Sequence, residues 1–104
     1  MLVREACNEV VKPEWWNDEG IKALSARVVR AAPNNVVAIA MRGMVLCGRW
    51  SSGAKEAWPR STAELKKAAA HFERAAALCP APAGKADFAF RAGLCHGWAL
   101  GLPM

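Results

Sequence analysis

The segment ELKKAAAHFERAAALCP, residues 64–80, limits what this chain can fold into more than any other part of it. Its alanines and its phenylalanine recur every three or four positions and fall on one side of a helix, while the charged residues lie elsewhere. Ser61 stands three residues before Glu64, which is the spacing of an N-terminal capping box. Pro80 then prevents the helix from continuing. The pattern predicts a helix over about 62–79 that buries a stripe of alanines.

Helical periodicity continues through the rest of the sequence, and strand signals are nearly absent. We expect five helices, which cover about residues 2–11, 19–32, 36–49, 62–79 and 85–100. Asn17 or Asp18 is positioned to cap the second of them. That helix is expected to point its basic side chains, including Lys22, toward water. Its buried stripe is expected to contain Ile21, Leu24, Val28 and Ala32.

The expected third helix, over about 36–49, is apolar almost all the way round, which predicts burial on two sides. Gly43 and Gly48 fall inside it, and each glycine costs about 1 kcal/mol relative to alanine in a helix. A close contact with a neighbouring helix would explain why small residues are used there.

Two parts of the sequence have the same layout. ARVVRAAPNN, residues 26–35, aligns without gaps with ERAAALCPAP, residues 73–82. Each is a helix end rich in small residues, and each contains the proline that stops the helix. The segments that come next also match, since AIAMRGMVLCG from Ala38 resembles DFAFRAGLCHG from Asp87. The repeated unit is therefore a helix, a turn, a second helix and a turn marked by proline.

This unit resembles the tetratricopeptide repeat (TPR), a helix-turn-helix unit of ~34 residues. The small, aromatic, small and proline positions of the family's second helix are matched by Ala68, Phe72, Ala75 and Pro80. The large apolar and small positions of its first helix are matched by Ile39 and Gly43, and again by Phe88 and Ala92. The small residues would let antiparallel helices approach to the short end of the usual ~8–10 Å between axes.

The resemblance implies an all-α fold in which antiparallel helix hairpins stack as a short right-handed superhelix. We expect one domain over residues 1–104, with an incomplete final repeat. Pro33 and Pro80 are 47 residues apart, which is longer than one repeat, and the excess is placed in an inserted loop at about 50–61. The family's usual leucine is replaced at Arg42 and Arg91. An unrelated alanine-rich helical bundle is the alternative fold.

Tetratricopeptide arrays usually bind other proteins, and the first helix of each pair lines the concave side of the stack. The resemblance therefore implies a non-catalytic scaffold or adaptor that binds an apolar helix or an extended segment in this groove. The expected groove residues are Val3, Cys7, Val10, Met41, Met44, Cys47, Phe90 and His96. Members that hold a C-terminal carboxylate use lysine and asparagine here, so such tails are not expected to bind at Ala40, Met44 and Ala89. Plain core packing is the alternative role of the methionines.

Aromatic residues give a second set of interface candidates, since tryptophan often anchors interfaces. They are Trp15, Trp16, Trp58, Phe88 and Trp98. Covering the core is their alternative role. The last helix would be a first helix without its second, so its open side would expose apolar surface. Self-association through that helix is one expected consequence.

The alternative function is that of an RNA-associated helical repeat, because the net charge is +5. Its basic face would consist of Lys55, Arg60, Lys66, Lys67 and Arg74. No aromatic residues are interleaved with these in the way that stacks bases, so nucleic acid is not the expected partner. A structural subunit of a larger complex is a further alternative. Catalysis is not expected, because the sequence contains no nucleophile elbow, zinc-protease motif, P-loop or dinucleotide fingerprint.

Four cysteines, Cys7, Cys47, Cys79 and Cys95, occur in apolar helical segments and form no C-x-x-C pair. Free buried thiols in a reducing compartment are therefore expected, with no metal and no cofactor. No run reaches the ~18 apolar residues of a membrane span, and the start of the sequence is a poor signal peptide. We expect an intracellular protein without a membrane partner, in the cytoplasm or in an organelle after removal of a transit peptide.

Overall fold

A computed structural model of the chain describes residues 17–49 and 59–101. Every regular element in these two ranges is an α-helix. The helices are α1 (Asp18–Ala31), α2 (Val36–Leu46), α3 (Thr62–Leu78) and α4 (Pro82–Ala99). The all-α prediction is therefore confirmed for the described residues, whose four helices correspond to the last four expected. The expected helix over 2–11 and most of the expected loop over 50–61 lie outside them.

Three of the helices start at a residue whose side chain caps the first turn. Asn17 accepts a hydrogen bond from the Gly20 amide at 2.7 Å, and Asn35 accepts one from the Ala38 amide at 3.0 Å. At the start of α3, the Ser61 hydroxyl accepts from the Glu64 amide at 3.1 Å while the Glu64 carboxylate accepts from the Ser61 amide at 3.0 Å. The predicted capping box is confirmed, and so is the predicted cap at the start of α1.

The end of α2 differs from the prediction, because the helix stops at Leu46 rather than near Arg49. Gly48 has a φ of 80°, in the left-handed region that favours glycine. Its amide donates to the Val45 carbonyl at 3.0 Å, and the Arg49 amide donates to the Met44 carbonyl at 3.0 Å. This is a Schellman motif, so Gly48 ends the helix and is not an interior glycine.

The start of α4 also differs, since the helix begins at Pro82 and not near Lys85. Proline is well tolerated in the first turn, where its missing N–H has no helical partner to lose. Lys85 instead reaches back to the end of α3, where its ammonium donates to the carbonyls of Ala76 at 2.9 Å and Ala77 at 3.3 Å. The last carbonyls of a helix favour a positive charge, so this contact stabilises the turn between α3 and α4.

The core lies along α3, which packs against α2 on one side and α4 on the other. Ala68 and Ala75 are completely buried, as the alanine stripe predicts, and Phe72 between them is buried as well. A Cβ atom added to Gly43 on α2 would lie 3.0 Å from the Phe72 ring, so the ring packs directly on the glycine backbone. Ala92, the corresponding small residue of α4, is also buried. The predicted close contact of α2 and α3 is therefore confirmed at Gly43.

Five charged side chains connect α1 to α2 and α3, and we call this set the charged junction. It consists of Asp18, Lys22, Arg42, Arg60 and Glu64. The Arg60 guanidinium donates to both carboxylate oxygens of Asp18, at 2.6 and 2.8 Å, and to the Val45 carbonyl at 2.7 and 3.1 Å. Its side chain is only 2% exposed. Arg60 therefore holds the start of α1 against the end of α2.

The other members of the junction extend it toward the middle of α1. The Lys22 ammonium donates to the Glu64 carboxylate at 2.8 Å, which joins α1 to the start of α3. Arg42 donates to the Lys22 carbonyl at 2.8 Å and to the Ser25 hydroxyl at 2.9 Å. The prediction that Lys22 faces water is therefore wrong, since it is half-buried and paired.

The apolar stripe of α1 is less covered than predicted. Ile21, Leu24 and Val28 are half-buried, and Ser25 is the buried residue of this helix. Among the described helices, α1 packs mainly against α2, so one neighbour covers only part of its apolar side.

Candidate functional site

The helix α2 is apolar almost all the way round, and the described helices α1 and α3 cover two of its sides but leave a third side open. Ile39 and Val45 are completely buried in the core. On the open side, Val37 is 70% exposed and Met41 is 45% exposed. Burial on two sides, by α1 and α3, agrees with the prediction, and the side that carries Val37 and Met41 stays open within the described part of the chain. A contiguous apolar surface left open to solvent is a feature that marks binding sites.

This open side forms one wall of a cavity of about 400 Å³ between α2 and α4. The residues that line the cavity are Val37, Ala40, Met41, Met44 and Phe88, and we call it the α2–α4 groove. The four α2 residues recur at helical spacing, which places them on one face, and Phe88 of α4 stands opposite. Every lining side chain is apolar, so the groove offers contact area and no charged or hydrogen-bonding side chain.

Two of the predicted groove residues, Met41 and Met44, lie in the wall of this groove. The aromatic residue of α4 in the wall is Phe88, whereas the sequence pointed to Phe90 for the groove and to Phe88 for an outer interface. Phe90 is 65% exposed and does not line the cavity. Phe88 and Phe90 are two residues apart, which rotates their side chains by about 200° around the helix axis, so the two rings point to different sides of α4. Phe88 also packs against buried core residues of α2 and α3.

The remaining predicted groove residues are not in this cavity. Cys47 is buried in the core cluster next to it. His96 is exposed on α4, where its Nε2 lies 3.3 Å from the Glu73 carboxylate. The three others, Val3, Cys7 and Val10, lie outside the described residues.

Four of the predicted interface candidates are tryptophans, and Trp98 is the one that lies within the described residues. Trp98 is half-buried, and the Arg49 guanidinium lies over its ring, 4.2 Å from the ring centroid. A cation over an aromatic face is an attractive arrangement, so this ring is held in place and is partly covered. Trp15, Trp16 and Trp58 lie outside the described residues.

A second, smaller cavity of about 150 Å³ lies beside the groove, and we call it the thiol cavity. Its lining is formed by Met44, Cys47, Arg49, Arg91, Leu94, Cys95 and Trp98. Cys47 and Cys95 are both buried and free, and the Cys47 thiol donates a hydrogen bond to the Met44 carbonyl at 3.3 Å. A side-chain hydrogen bond with Cys95 lowers the pKa of the Cys47 thiol to about 7, with help from the Arg49 amide and against the effect of burial. The same bond, followed by burial, raises the pKa of Cys95.

The thiol pair and Val37 are the two features of these cavities that the sequence interpretation missed. Val37 precedes Met41 and Met44 by four and seven residues, so helical spacing alone could have placed it in the groove. Cys47 and Cys95 are 48 residues apart and belong to no short motif, so only the packing of both α2 and α4 against α3 brings them to one cluster.

Within residues 17–49 and 59–101, no three or more His, Cys, Asp or Glu side chains are grouped so that they could hold a metal ion. None of the helices in the same ranges combines the length and the hydropathy that crossing a membrane requires. No protein-family model matches the sequence, and comparisons with curated proteins and with solved structures give no match.

Proposed function

We propose that this chain is a non-catalytic protein-interaction domain that binds an apolar helix or extended segment of another protein in the α2–α4 groove. The observation that carries the proposal is the open apolar face of α2, on which Val37 and Met41 remain exposed in a folded helix. Leaving such a face in water costs about 25 cal/mol for each Å² of apolar surface. A partner that covers the face would recover this free energy.

The chemistry of the wall favours a protein segment over a small polar ligand. Ligand pockets usually combine apolar walls with a few polar groups that fix the orientation of the ligand. The groove has only apolar side chains in its wall, and its 400 Å³ is at the small end of the range for such pockets. Met41 and Met44 add flexible, polarizable side chains that adapt to irregular apolar surfaces. An amphipathic helix that places its apolar face in the groove fits this wall.

A TPR-like arrangement of the helices is part of the same proposal. In that arrangement α2 and α4 are the first helices of consecutive hairpins, and α3 is the second helix packed behind them. First helices line the concave binding side of such stacks, and the groove is walled by residues of α2 and α4. We propose that the described helices form part of a right-handed stack of this kind.

The structure gives less support to the RNA alternative. Arg60, one of the five residues of the expected basic face, is buried and paired with Asp18. Arg74 is exposed but donates to the Pro33 carbonyl at 3.1 Å and to the Asn34 side chain at 2.8 Å. Lys66 and Lys67 remain exposed, and Lys55 lies outside the described residues. The basic face is therefore smaller than the sequence indicates.

The experiment selects peptides from a displayed library of amphipathic helices against the full chain and measures their affinity by fluorescence anisotropy. Met41→Asp and Val37→Asp are expected to weaken binding by roughly tenfold or more each. Covering a large aliphatic side chain contributes ~1.5–3 kcal/mol, and ~1.4 kcal/mol corresponds to a factor of ten.

Phe90→Asp is the matched control, since it also places a charge at an exposed large apolar residue of a helix but lies outside the groove. It is expected to leave affinity unchanged. Peptides that bind the Met41→Asp chain as tightly as the unsubstituted chain, or that lose affinity only with Phe90→Asp, would show that the groove is not the binding site.

A further inference from the structure

Two cysteines from distant parts of the sequence lie in the wall of the thiol cavity. Cys47 caps the end of α2, and Cys95 lies in the last part of α4. Both belong to the same buried cluster, and both line the cavity wall. The two thiols therefore share one buried cluster and one cavity, and that cavity is a space that a small molecule can occupy.

The charges around the cavity favour a thiolate and disfavour a bound cation. The side chains of Arg49 and Arg91 form part of the wall, and Arg49 is held over the Trp98 ring. A positive charge near a thiol stabilises its ionised form, and it repels a metal cation from the same place. A hydrogen bond from the Cys95 thiol and one from the Arg49 amide favour the ionised form of Cys47, whereas the protonated Cys47 thiol donates to the Met44 carbonyl at 3.3 Å.

The size of the cavity limits which oxidant can reach the pair. A volume of 150 Å³ has room for a few molecules of the size of water, each of which occupies ~30 Å³ in the liquid. Hydrogen peroxide is of this size class. Oxidised glutathione, which consists of two linked tripeptides, is far too large to enter.

We propose that Cys47 and Cys95 form a reversible disulfide when hydrogen peroxide enters the thiol cavity. The Cys47 thiolate attacks one peroxide oxygen, the O–O bond breaks, and the departing hydroxide takes a proton from solvent to become water. The Cys95 sulfur then loses its proton and attacks the sulfur of the Cys47 sulfenic acid, whose hydroxyl leaves with that proton as water. Two thiols thus give two electrons and two protons to one peroxide, and a dithiol reductant reverses the change.

The test uses the reduced full chain, in which Cys79 is the internal control because it does not line the cavity. After exposure to hydrogen peroxide, the remaining thiols are alkylated, and peptides are mapped by mass spectrometry without reduction. A peptide that links Cys47 to Cys95 is expected to accumulate and to disappear with dithiothreitol. Cys79 is expected to react more slowly than Cys47 by a factor of roughly ten or more. Sulfinic acid at Cys47 without a linked peptide, or oxidation at Cys79 while the pair stays reduced, would refute the proposal.

Two variants distinguish the oxidation of Cys47 to a sulfenic acid from the formation of the disulfide. Cys95→Ser is expected to stop at the sulfenic acid of Cys47, which dimedone traps, and to form no link. The matched control Cys79→Ser is expected to form the link at the unsubstituted rate. If Cys95→Ser does not fold, as judged by circular dichroism, the rate of link formation is compared between the native chain and the same chain in denaturing urea. Equal rates would show that the folded cavity does not promote the reaction, and the proposal would be wrong.

Discussion

The contact of α3 with α2 and α4 and the contact of α1 with its neighbours are built from opposite kinds of residue. Along α3, alanine and glycine let helices approach, and Phe72 fills the space against Gly43. At the charged junction, Arg60 and Lys22 reach across to carboxylates on other elements. The first contact depends on the shapes of small apolar groups, and the second depends on the pairing and protonation of charged ones. The two contacts should therefore respond to different changes.

The largest effect is expected from Phe72→Ala, which removes the ring from the apolar contact. Phe72 is fully buried among α2, α3 and α4, so the substitution leaves a cavity in a packed core. Such changes lower the free energy of unfolding by about 3–5 kcal/mol. Urea unfolding followed by circular dichroism measures the change.

Phe90→Ala is the control for this substitution, because it removes the same ring from a site that is 65% exposed. Its expected cost is under about 0.5 kcal/mol. If both substitutions lower the free energy of unfolding equally, the core does not depend on the contact between Phe72 and Gly43.

The second-largest loss of stability is expected from Arg60→Ala, a substitution that tests the charged junction. The substitution leaves the Asp18 carboxylate and the Val45 carbonyl without the guanidinium that bonds to both. Removing one partner of a buried pair costs about 3–5 kcal/mol, and the partial exposure of Asp18 reduces the expected loss to about 2–3 kcal/mol. The same urea experiment measures it.

Arg91→Ala is the matched control, since Arg91 pairs with Asp87 at 2.9 Å on the exposed surface of α4. Exposed pairs of this kind contribute about 0–0.5 kcal/mol within a helix. Added salt is expected to reduce the small Arg91 effect more than the Arg60 effect, because buried pairs are screened less. An Arg60→Ala chain as stable as the Arg91→Ala chain would mean that the junction does not stabilise the fold.

The difference between the two contacts also explains how much of the fold the sequence predicts. The alanine stripe is visible within one helix, because Ala68 and Ala75 recur at helical spacing around Phe72. The junction has no such local pattern, since Asp18 pairs with Arg60 across 42 residues. A charged residue in a helix is normally expected to face water, and only the packed structure shows which ones are paired.

The sequence also predicts part of the α2–α4 groove, as it predicts part of the fold. Met41 and Met44 follow from the apolar face of α2 and from the repeat resemblance. The resemblance aligns Phe90 with Met41, yet the groove contains Phe88, which packs against the core cluster of Ile39, Ala40 and Ala75. Pairing residues by repeat position assumes that α2 and α4 are equivalent. Ile39 is completely buried, whereas its repeat counterpart Phe88 is only partly buried and lines the groove, so the two helices are not equivalent there.

The smallest effect concerns pH and distinguishes the junction from the apolar contact. The Lys22 ammonium, together with the Ser61 amide, lowers the pKa of the Glu64 carboxyl from 4.5 to about 2. The unfolded chain therefore takes up this proton first as the pH falls. The stability that the pairing contributes is complete above pH 4.5 and is lost progressively toward pH 2.

Glu64→Gln keeps a side chain that can accept in the capping box but removes the charge that pairs with Lys22. We expect it to reduce stability by about 0.5–1 kcal/mol at neutral pH and to make the decline between pH 4.5 and 2 shallower. Lys22→Met removes the other half of the same pair, so it should flatten the same part of the pH profile. Phe72→Ala should lower the whole profile without changing its slope there, because no charge is involved. Parallel acid profiles for Glu64→Gln and the unsubstituted chain would show that the pairing of Glu64 is not what makes the junction sensitive to acid.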